Sequence, residues 1–274
     1  MCIRDRAYLE RWLPAAGGLL QEPMFAGAAA RAEQARTYSP GSLRPETARA
    51  LYGAELHFSS SRIDVLAGCR FAHFLQYGLR AQEREPAEFD SRFYGTFVHD
   101  VLEYIVQQTE REGGFAAVPR GRVQELAQER MEQNAQTLLE TFPDSGRTGY
   151  LLRRTFDEVT QVVDELYDEL SVSAFRPKFC ELEFSARGAL PGVAFAGERC
   201  RGVVEGFVDR VDVWQSGGRP YVRVVDYKTG KKSFDYTNVL HGRGLQMLLY
   251  LFALVRQGGH LLHGEPLPAG VLYF

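Results

Sequence analysis

The spacing of apolar residues predicts helices through the first two thirds of the chain. In the segment SSSRIDVLAGCRFAHFLQYGL, residues 59–79, apolar residues recur every three or four positions, and the leading serines are typical N-cap residues of a helix. The same spacing predicts further helices at about residues 91–112, 121–141 and 148–171. Residues 1–57 contain only short helical patches, at about 7–13 and 45–56, which glycine and proline interrupt.

The pattern changes at Pro177, beyond which apolar and polar residues alternate and β-branched or aromatic residues dominate. Three strands are predicted in succession, in the segments KFCELEFSA, CRGVVEGFVDRVDVW and PYVRVVDYKTG. A helix at about residues 244–256 follows, and then a strand that begins at AGVLYF. This order predicts a mixed α/β core that is preceded by a helical N-terminal region.

The composition is that of a globular protein. Of the 274 residues, 45% are hydrophobic and 24% are charged, which suits one large or two small domains. The net charge of −3 gives no overall basic field, so any contact with nucleic acid has to come from a local patch. No apolar run approaches the roughly 20 residues that span a bilayer, and the N-terminus lacks a signal-peptide pattern, so we expect a soluble cytoplasmic protein without membrane contact. The cysteines form no C-x-x-C pair, which predicts neither a disulfide framework nor a local metal knuckle.

The segment VVDYKTGKK, residues 224–232, places an acid and a base on one face of a predicted strand. Side chains at i and i+2 project to the same face, so Asp226 and Lys228 lie side by side. The turn signal QSGGRP predicts a hairpin, and a hairpin that is symmetric about its two glycines places Asp209 opposite Asp226. Facing carboxylates repel each other unless a positive charge lies between them, and a divalent cation would supply it. The alternative is a surface ion pair of Asp226 with Lys228 or Arg210, which contributes about 0–1 kcal/mol.

These residues suit the hydrolysis of phosphodiester bonds. Oxygen ligands favour Mg²⁺ or Mn²⁺, and such an ion lowers the pKa of a bound water and polarises a phosphoryl oxygen. Lys228 could orient that water and stabilise the negative charge that develops in the transition state. The hypothesis from this segment is therefore a metal-dependent phosphodiesterase site.

Two predicted helices carry polar residues that could join this site. His99 shares a helix face with Gly95 and Glu103, and it is either a metal ligand or a histidine that caps the helix or pairs with Glu103. Gln246 and Tyr250 share one face of an otherwise apolar helix, where they either hydrogen-bond within the core or contact the lysine and a phosphate. The spacing alone leaves both alternatives open.

Taken in order along the chain, these motifs resemble a known family. They are G-x-x-x-H-x-x-L-E at residues 95–103, G-x-x-D-R-x-D at 206–212, D-Y-K-T-G at 226–230 and Q-x-x-x-Y at 246–250. The set resembles the RecB-like nucleases of the PD-(D/E)xK superfamily. Residues 59–79 resemble the segment that opens the nuclease domain in the B subunit of AddAB-type ATP-dependent helicase-nucleases. The resemblance implies a restriction-endonuclease-like core, a mixed sheet flanked by helices, in a nuclease domain over residues 58–274 that is truncated at its C-terminus, with residues 1–57 an unassigned helical or linker region.

The resemblance also implies roles for individual residues. The implied metal ligands are His99, Asp209, Asp226 and, as a further candidate, the backbone carbonyl of Tyr227. Lys228 would be the catalytic lysine, and Gln246 and Tyr250 would contact DNA or orient that lysine. Family members of this kind cut single-stranded DNA that a motor feeds to them in recombination and double-strand-break repair. We therefore expect a Mg²⁺- or Mn²⁺-dependent exonuclease that acts with a helicase-nuclease partner subunit.

In this branch of the family, Cys69 would be the first of four cysteine ligands of a 4Fe-4S cluster. The other three normally follow the last core strand, and the chain ends at Phe274 without them. Cys180 and Cys200 fall on predicted strands and lack the tight spacing of such ligands. We therefore expect no complete cluster in this chain, and a cluster only in a longer parent protein.

Basic residues near the predicted site are candidates for contacts with DNA phosphates, although most surface arginines are simply solvated. The candidates are Arg210, Lys231 and Lys232. Two rival interpretations stay open. One is a stand-alone RecB- or Cas4-like exonuclease, which would differ in its partners rather than in its chemistry. The other is a catalytically silent module that binds DNA or supports a partner subunit, which predicts a disrupted metal site.

Overall fold

The computed structural model describes residues 41–81, 91–141, 146–198, 200–228, 230 and 234–274, together with isolated positions between 23 and 34. Its helices are α1 (Pro45–Tyr52), α2 (Ser60–Gly68), α3 (Arg70–His73), α4 (Ser91–Arg111), α5 (Arg120–Thr141), α6 (Gly146–Val172), α7 (Tyr236–Leu240), α8 (Gln246–Gln257) and α9 (Gly259–Leu262), with a 3₁₀ turn at Pro23–Phe25 and a π-helical turn at Phe74–Gly78. Its strands are β1 (Glu55–Phe58), β2 (Arg176–Phe184), β3 (Val193–Ala196), β4 (Arg201–Val204), β5 (Gly206–Ser216), β6 (Arg219–Asp226) and β7 (Leu267–Tyr273). The helical patch predicted at about residues 7–13 lies outside the described residues.

The larger sheet is mixed and has the strand order β2-β5-β6-β7. Strands β2, β5 and β6 pair antiparallel, and β7 pairs parallel with β6. The β5–β6 turn uses Gly217 and Gly218 at φ values of 58° and 75°, a left-handed conformation that favours glycine. The hairpin pairs run from the turn up to Arg210 opposite Val225, which confirms the register predicted from the symmetry of the sequence. A smaller sheet has the order β1-β4-β3, with β1 parallel to β4.

The larger sheet separates two apolar clusters. Helices α4, α5 and α6 enclose the first cluster, to which α4 contributes Val101 and β6 contributes Val225. The second cluster, on the other face, contains Val224 of β6 and Met247 of α8. Neighbouring residues of a strand project to opposite faces, so β6 supplies both clusters in turn. The end of β6, at Asp226, therefore lies between the two apolar clusters.

Two long elements were predicted as continuous and are interrupted in the structure. The helix predicted over residues 59–79 begins with Ser59 as its N-cap, which accepts a hydrogen bond from the Arg62 N–H. It breaks at Cys69, which is extended with a φ of −156° and caps α3. The strand predicted over residues 200–214 divides after Val204 into β4 and β5, which belong to different sheets. Strands β1 and β3 and helices α7 and α9 were not predicted, because elements of four or five residues carry little periodic signal.

Candidate metal centre

Two carboxylates meet at the ends of β5 and β6. Asp209 lies one position beyond the last β5–β6 pair, and its Oδ2 accepts a hydrogen bond from the Tyr227 N–H, with an N to O distance of 2.8 Å. Asp226, at the end of β6, is only 1% exposed. Burial and the nearby charge of Asp226 raise the pKa of Asp209, although His99, the Tyr227 N–H and Lys228 act in the opposite direction. The structure thus brings together the two acids that hairpin symmetry had placed opposite each other.

Both oxygens of Asp226 contact polar side chains. Its Oδ2 forms an ion pair with the Lys228 ammonium group, and its Oδ1 accepts a hydrogen bond from Gln246 Nε2 at 3.0 Å. Gln246 Nε2 also lies 3.3 Å from the Tyr250 hydroxyl oxygen, and burial raises the pKa of Tyr250. The ion pair is therefore not the exposed one of the alternative interpretation, since Asp226 is buried and held by a second partner. Gln246 contacts the carboxylate that binds the lysine, rather than the lysine itself.

His99 of α4 approaches Asp209 and Tyr227 from the face of the sheet opposite to α8. Its Nε2 lies 2.9 Å from the Tyr227 carbonyl oxygen. A carbonyl can only accept, so Nε2 carries a proton, and Nδ1 of the neutral ring then holds a lone pair. Nδ1 lies 3.6 Å from Asp209 Oδ2, so two electron-rich atoms face each other unless a proton or a cation lies between them. Both ring nitrogens of His99 thus face groups other than Glu103, whose Oε1 accepts a hydrogen bond from Gln107.

Glu181 of β2 joins this group, although no sequence motif singles it out. One ligand atom from each of His99, Glu181 and Asp209 lies within 4.8 Å of the other two. The pairs Cys180–Arg210 and Leu182–Val208 flank Glu181 and Asp209, which places these two acids opposite each other. The only signal in the sequence was an acid inside the strand segment ELEF. The pairing of β2 with β5 could not be predicted, because the strands of the smaller sheet lie between them in the chain.

The backbone of β2 is irregular at Glu181. Its φ of 48° is in the left-handed region, which is uncommon for residues other than glycine. Cys180 packs against the first cluster and Leu182 belongs to the second, although residues two apart in a regular strand share a face. The strand therefore reverses its faces at Glu181. Unusual backbone conformations of this kind concentrate at functional sites.

The electrostatics of the group favour a divalent cation. Partial burial of the carboxyl group, followed by the charges of Asp209 and Glu103, raises the pKa of Glu181. Glu181, Asp209 and Asp226 together bring three carboxylates close to the ammonium group of Lys228. Carboxylate oxygens with one imidazole nitrogen are ligands that hard or borderline ions such as Mg²⁺ and Mn²⁺ accept. The residues thus fit such an ion, which His99, Glu181 and Asp209 would hold, whereas ligation by Asp226 and the Tyr227 carbonyl stays a prediction.

Arg210 lies beneath this group and corrects one prediction. It is 0% exposed, its Nε and Nη2 donate to the Asp212 carboxylate at 2.8 and 3.1 Å, and its Nη1 donates to the Tyr227 hydroxyl at 3.1 Å. The prediction that Arg210 contacts DNA is therefore wrong. The helices of the first cluster cover this face of the sheet, which strand alternation alone does not reveal. Arg210 instead anchors the ring of Tyr227, whose backbone N–H and carbonyl contact Asp209 and His99.

The remaining predicted positions lie away from this group or outside the described residues. Lys231 and Lys232 are among the residues that the structure does not describe. Cys69 is partly buried, and within the described ranges it belongs to no group of three or more side chains that could hold a metal ion. The described residues around Cys69 therefore do not supply the ligands of an iron-sulfur cluster. A cluster in a longer parent protein stays a prediction. No helix in the described part of the chain is long and apolar enough to cross a membrane.

Comparison with known proteins decides the family. A model of the PD-(D/E)XK nuclease superfamily matches residues 57–274, which include every residue of the candidate centre. The chain belongs to the PD-(D/E)XK nuclease superfamily. Membership confirms the resemblance drawn from the four motifs. The mixed sheet flanked by helices is consistent with the restriction-endonuclease-like core that this superfamily shares.

This PD-(D/E)XK nuclease domain is also similar to one part of much longer proteins. It is 37% identical over 235 residues to the B subunit of the ATP-dependent helicase/deoxyribonuclease of Moorella thermoacetica, covering 85% of this chain and 20% of that protein. It is 34% identical over 238 residues to the protein of the same name from Pelotomaculum thermopropionicum, with 85% and 20% covered. For the protein of that name from Caldanaerobacter subterraneus the identity is 33% over 244 residues, with 84% and 20% covered. The chain thus spans about a fifth of the length of these relatives.

Proposed function

We propose that this domain is a Mg²⁺- or Mn²⁺-dependent exonuclease module that hydrolyses the phosphodiester bonds of single-stranded DNA. The observation that carries the proposal is the group of His99, Glu181 and Asp209 beside the buried ion pair of Asp226 and Lys228. An intact group of this kind favours catalysis over a silent binding module. The word deoxyribonuclease in the names of the relatives supports DNA as the substrate.

In this proposal the residues of the site have three roles: metal binding, orientation of the attacking water, and positioning of the other side chains. His99, Glu181 and Asp209 would hold the ion, which when bound lowers the pKa of a water molecule and polarises a phosphoryl oxygen. The Lys228 ammonium group would orient the attacking water and stabilise the negative charge that develops on the phosphate. Asp226, fixed by Gln246, sets the position of Lys228. The backbone of Tyr227 holds His99 and Asp209 in place from one side.

The proposal extends to partners and biological role. The relatives are named as subunits of a helicase/deoxyribonuclease, so we propose that this module acts in the cytoplasm beside a helicase partner subunit. It would degrade the strand that the motor delivers during double-strand-break repair and recombination. A parent protein of this kind would also carry the 4Fe-4S cluster for which Cys69 is the first predicted ligand.

The first experiment measures degradation of end-labelled single-stranded DNA with Mg²⁺, with Mn²⁺ and with EDTA. We expect metal-dependent cleavage that Asp226→Ala and Lys228→Gln abolish. The exposed Lys178 provides a control, since Lys178→Gln removes the same charge elsewhere on the sheet and leaves activity intact. A folded wild-type chain that is inert with both metals would overturn the proposal in favour of the silent module.

A second substrate tests the exonuclease mode. A closed circle of single-stranded DNA has no end, so an exonuclease leaves it intact while it degrades the linear strand of the same sequence. Cleavage of the circle at a comparable rate would show an endonuclease and would refute that part of the proposal. Duplex DNA with blunt ends, tested beside them, measures the preference for single strands.

A further inference from the structure

A cavity of about 160 Å³ lies among residues of α2, of α7 with its flanking residues, and of β7. Tyr273 of β7 is the residue paired with Asp226 of β6, so the two side chains project to the same face of the sheet. Tyr273 lines the cavity together with Asp64 of α2 and with Phe234, which precedes α7. Burial, and then the charges of Asp226 and Asp64, raise the pKa of Tyr273, as its place between these groups requires. The cavity is therefore adjacent to the carboxylate that holds Lys228.

Arg243 offers this cavity a positive charge. Among the described residues its guanidinium group has no ion-pair partner, and it lies in the cavity wall. The two acids of the wall are engaged with backbone groups. Asp64 accepts a hydrogen bond from the Gly244 N–H at 2.7 Å, and Asp235 caps α7 by accepting from the Thr237 N–H at 2.8 Å.

Phe234 connects the cavity to an exposed apolar surface on α7. Its ring meets the ring of Tyr236 edge to face, with the centroids 5.1 Å apart. Tyr236 is 81% exposed, and Leu240, one helical turn further on, is 83% exposed. Large apolar side chains that are exposed next to one another are typical of surfaces that bind a ligand or a partner. The surface formed by Phe234, Tyr236 and Leu240, here called the α7 aromatic surface, starts eight residues after the end of β6 at Asp226.

We infer that the α7 aromatic surface is a stacking subsite for an unpaired base of single-stranded DNA, held while a neighbouring phosphate occupies the metal centre. The inference rests on the proposed function, and it specifies how the same site grips its substrate. Bases of a single strand expose flat faces that stack on aromatic side chains, whereas the bases of a duplex are already stacked on each other. Arg243, in the wall of the cavity, would contact a phosphate next to that base.

Binding without cleavage tests the subsite. The chain is titrated in EDTA with a fluorescently labelled single strand of about 12 nucleotides, and the dissociation constant is read from anisotropy. We expect Tyr236→Ala to weaken binding about tenfold, as the loss of one stacked base predicts. Tyr236→Phe retains the ring and the affinity. Tyr150→Ala is the matched control, because Tyr150 is also exposed, at 59%, but belongs to α6 and not to this surface.

A second readout reports stacking itself. A strand that carries 2-aminopurine loses fluorescence when the base stacks, so we expect quenching with the wild-type chain and with Tyr236→Phe, and little with Tyr236→Ala. Equal affinity and equal quenching for wild type and Tyr236→Ala would overturn the inference, and so would the absence of any binding to single strands. An equal loss of affinity for duplex DNA would also overturn it, because it would indicate a contact to the backbone.

The two proposals fail separately. A chain that binds and stacks single strands as described but cleaves none with either metal would contradict the proposed nuclease activity while the stacking subsite stands. A chain that cleaves normally, with Tyr236→Ala indistinguishable from wild type in binding, would contradict the subsite alone. Circular dichroism and melting temperatures of each variant exclude loss of folding as the cause.

Discussion

Glu181 shows how one irregular backbone position changes the composition of a site. Without it, the group of mutually close candidate ligand side chains would be reduced to His99 and Asp209, with a single carboxylate. With it, the group has a second candidate anionic ligand, from a strand that no motif marked. The left-handed conformation at this position is unfavourable for glutamate, so we interpret it as strain that the surrounding sheet imposes.

We expect Glu181→Gln to raise the Mg²⁺ concentration needed for half-maximal cleavage by about tenfold or more, because the substitution removes a negative charge from a ligand. Isothermal calorimetry of metal binding checks the same change without DNA. Glu183→Gln is the control, since Glu183 lies two residues further along β2 and its Oε1 accepts a hydrogen bond from the Ser185 hydroxyl. Identical metal dependence for the two variants would show that Glu181 is not a ligand.

Arg210 illustrates the opposite case, a charged residue whose role is internal. Asp212, which is 0% exposed, binds Arg210 and also Arg223, whose Nε lies 2.8 Å from Asp212 Oδ2. Such a buried network is destabilised strongly when one partner is removed, because the remaining charge is left without compensation. Removal of Arg210 would also take away the group that donates a hydrogen bond to the Tyr227 hydroxyl.

We expect Arg210→Met to lower the free energy of unfolding by about 3 kcal/mol in urea denaturation, since it leaves the Asp212 charge only partly compensated. Arg223→Met should cost less, because Arg223 is 17% exposed at its side chain and Arg210 keeps both hydrogen bonds to Asp212. If the two losses were equal, or if Arg210→Met were neutral, the network would not carry the stability assigned to it.

At the scale of elements, the smaller sheet depends on close packing of its strands. Gly202 lies in β4 between β1 and β3. A Cβ atom there would lie 2.4 Å from the Phe195 ring and 2.7 Å from the Leu56 carbonyl oxygen. Since the carbonyl belongs to the backbone of β1, a larger residue has to push the strand itself.

We expect Gly202→Ala to lower the free energy of unfolding by about 1–3 kcal/mol through this overpacking. Gly121, near the start of α5, provides the matched control because a Cβ atom there would meet nothing within 4 Å. Gly121→Ala should instead add about 0.5 kcal/mol by restricting the unfolded chain. Urea denaturation of both variants gives the comparison, and a gain for Gly202→Ala would contradict the packing of β4.

At the scale of the whole molecule, we expect the acids of the candidate metal centre to couple folding to pH and to metal. The pKa values of Asp209 and Glu181 are raised in the fold. A carboxyl group with a raised pKa stabilises the fold fully only below its unfolded pKa, about 3.9 for Asp and 4.3 for Glu. That contribution is lost as the pH rises through the raised value. The metal-free protein is therefore less stable at neutral pH than its packing alone would make it.

We expect Asp209→Asn to raise the melting temperature of the metal-free protein at pH 7, with the gain shrinking as the pH falls toward about 4. Mg²⁺ should raise the melting temperature of the wild type in a concentration-dependent way, as any ligand of the native state does, but not that of the variant. Differential scanning calorimetry in EDTA and in Mg²⁺ makes both comparisons. If Asp209→Asn did not raise the melting temperature in EDTA, repulsion between Asp209 and Asp226 would not destabilise the metal-free fold.

The sequence by itself determined the elements and the chemistry that lie close together in the chain. The long helices carry three or four periods of apolar residues, so their existence could be predicted within a few residues. The hairpin register followed from two glycines, which were enough to place Asp209 opposite Asp226. The four motifs were sufficient to indicate the family that the comparison then showed.

Only the tertiary structure decided what depends on contacts between distant segments. Glu181 enters the metal centre through the pairing of β2 with β5, across strands that belong to another sheet. Arg210 is buried because helices from the first half of the chain cover its face of the sheet. The short helix α7 leaves Tyr236 exposed beside the cavity, which a five-residue element cannot reveal by periodicity. In each case the deciding interaction joins residues whose separation in the chain leaves no local pattern, because burial and strand order are properties of the packed fold.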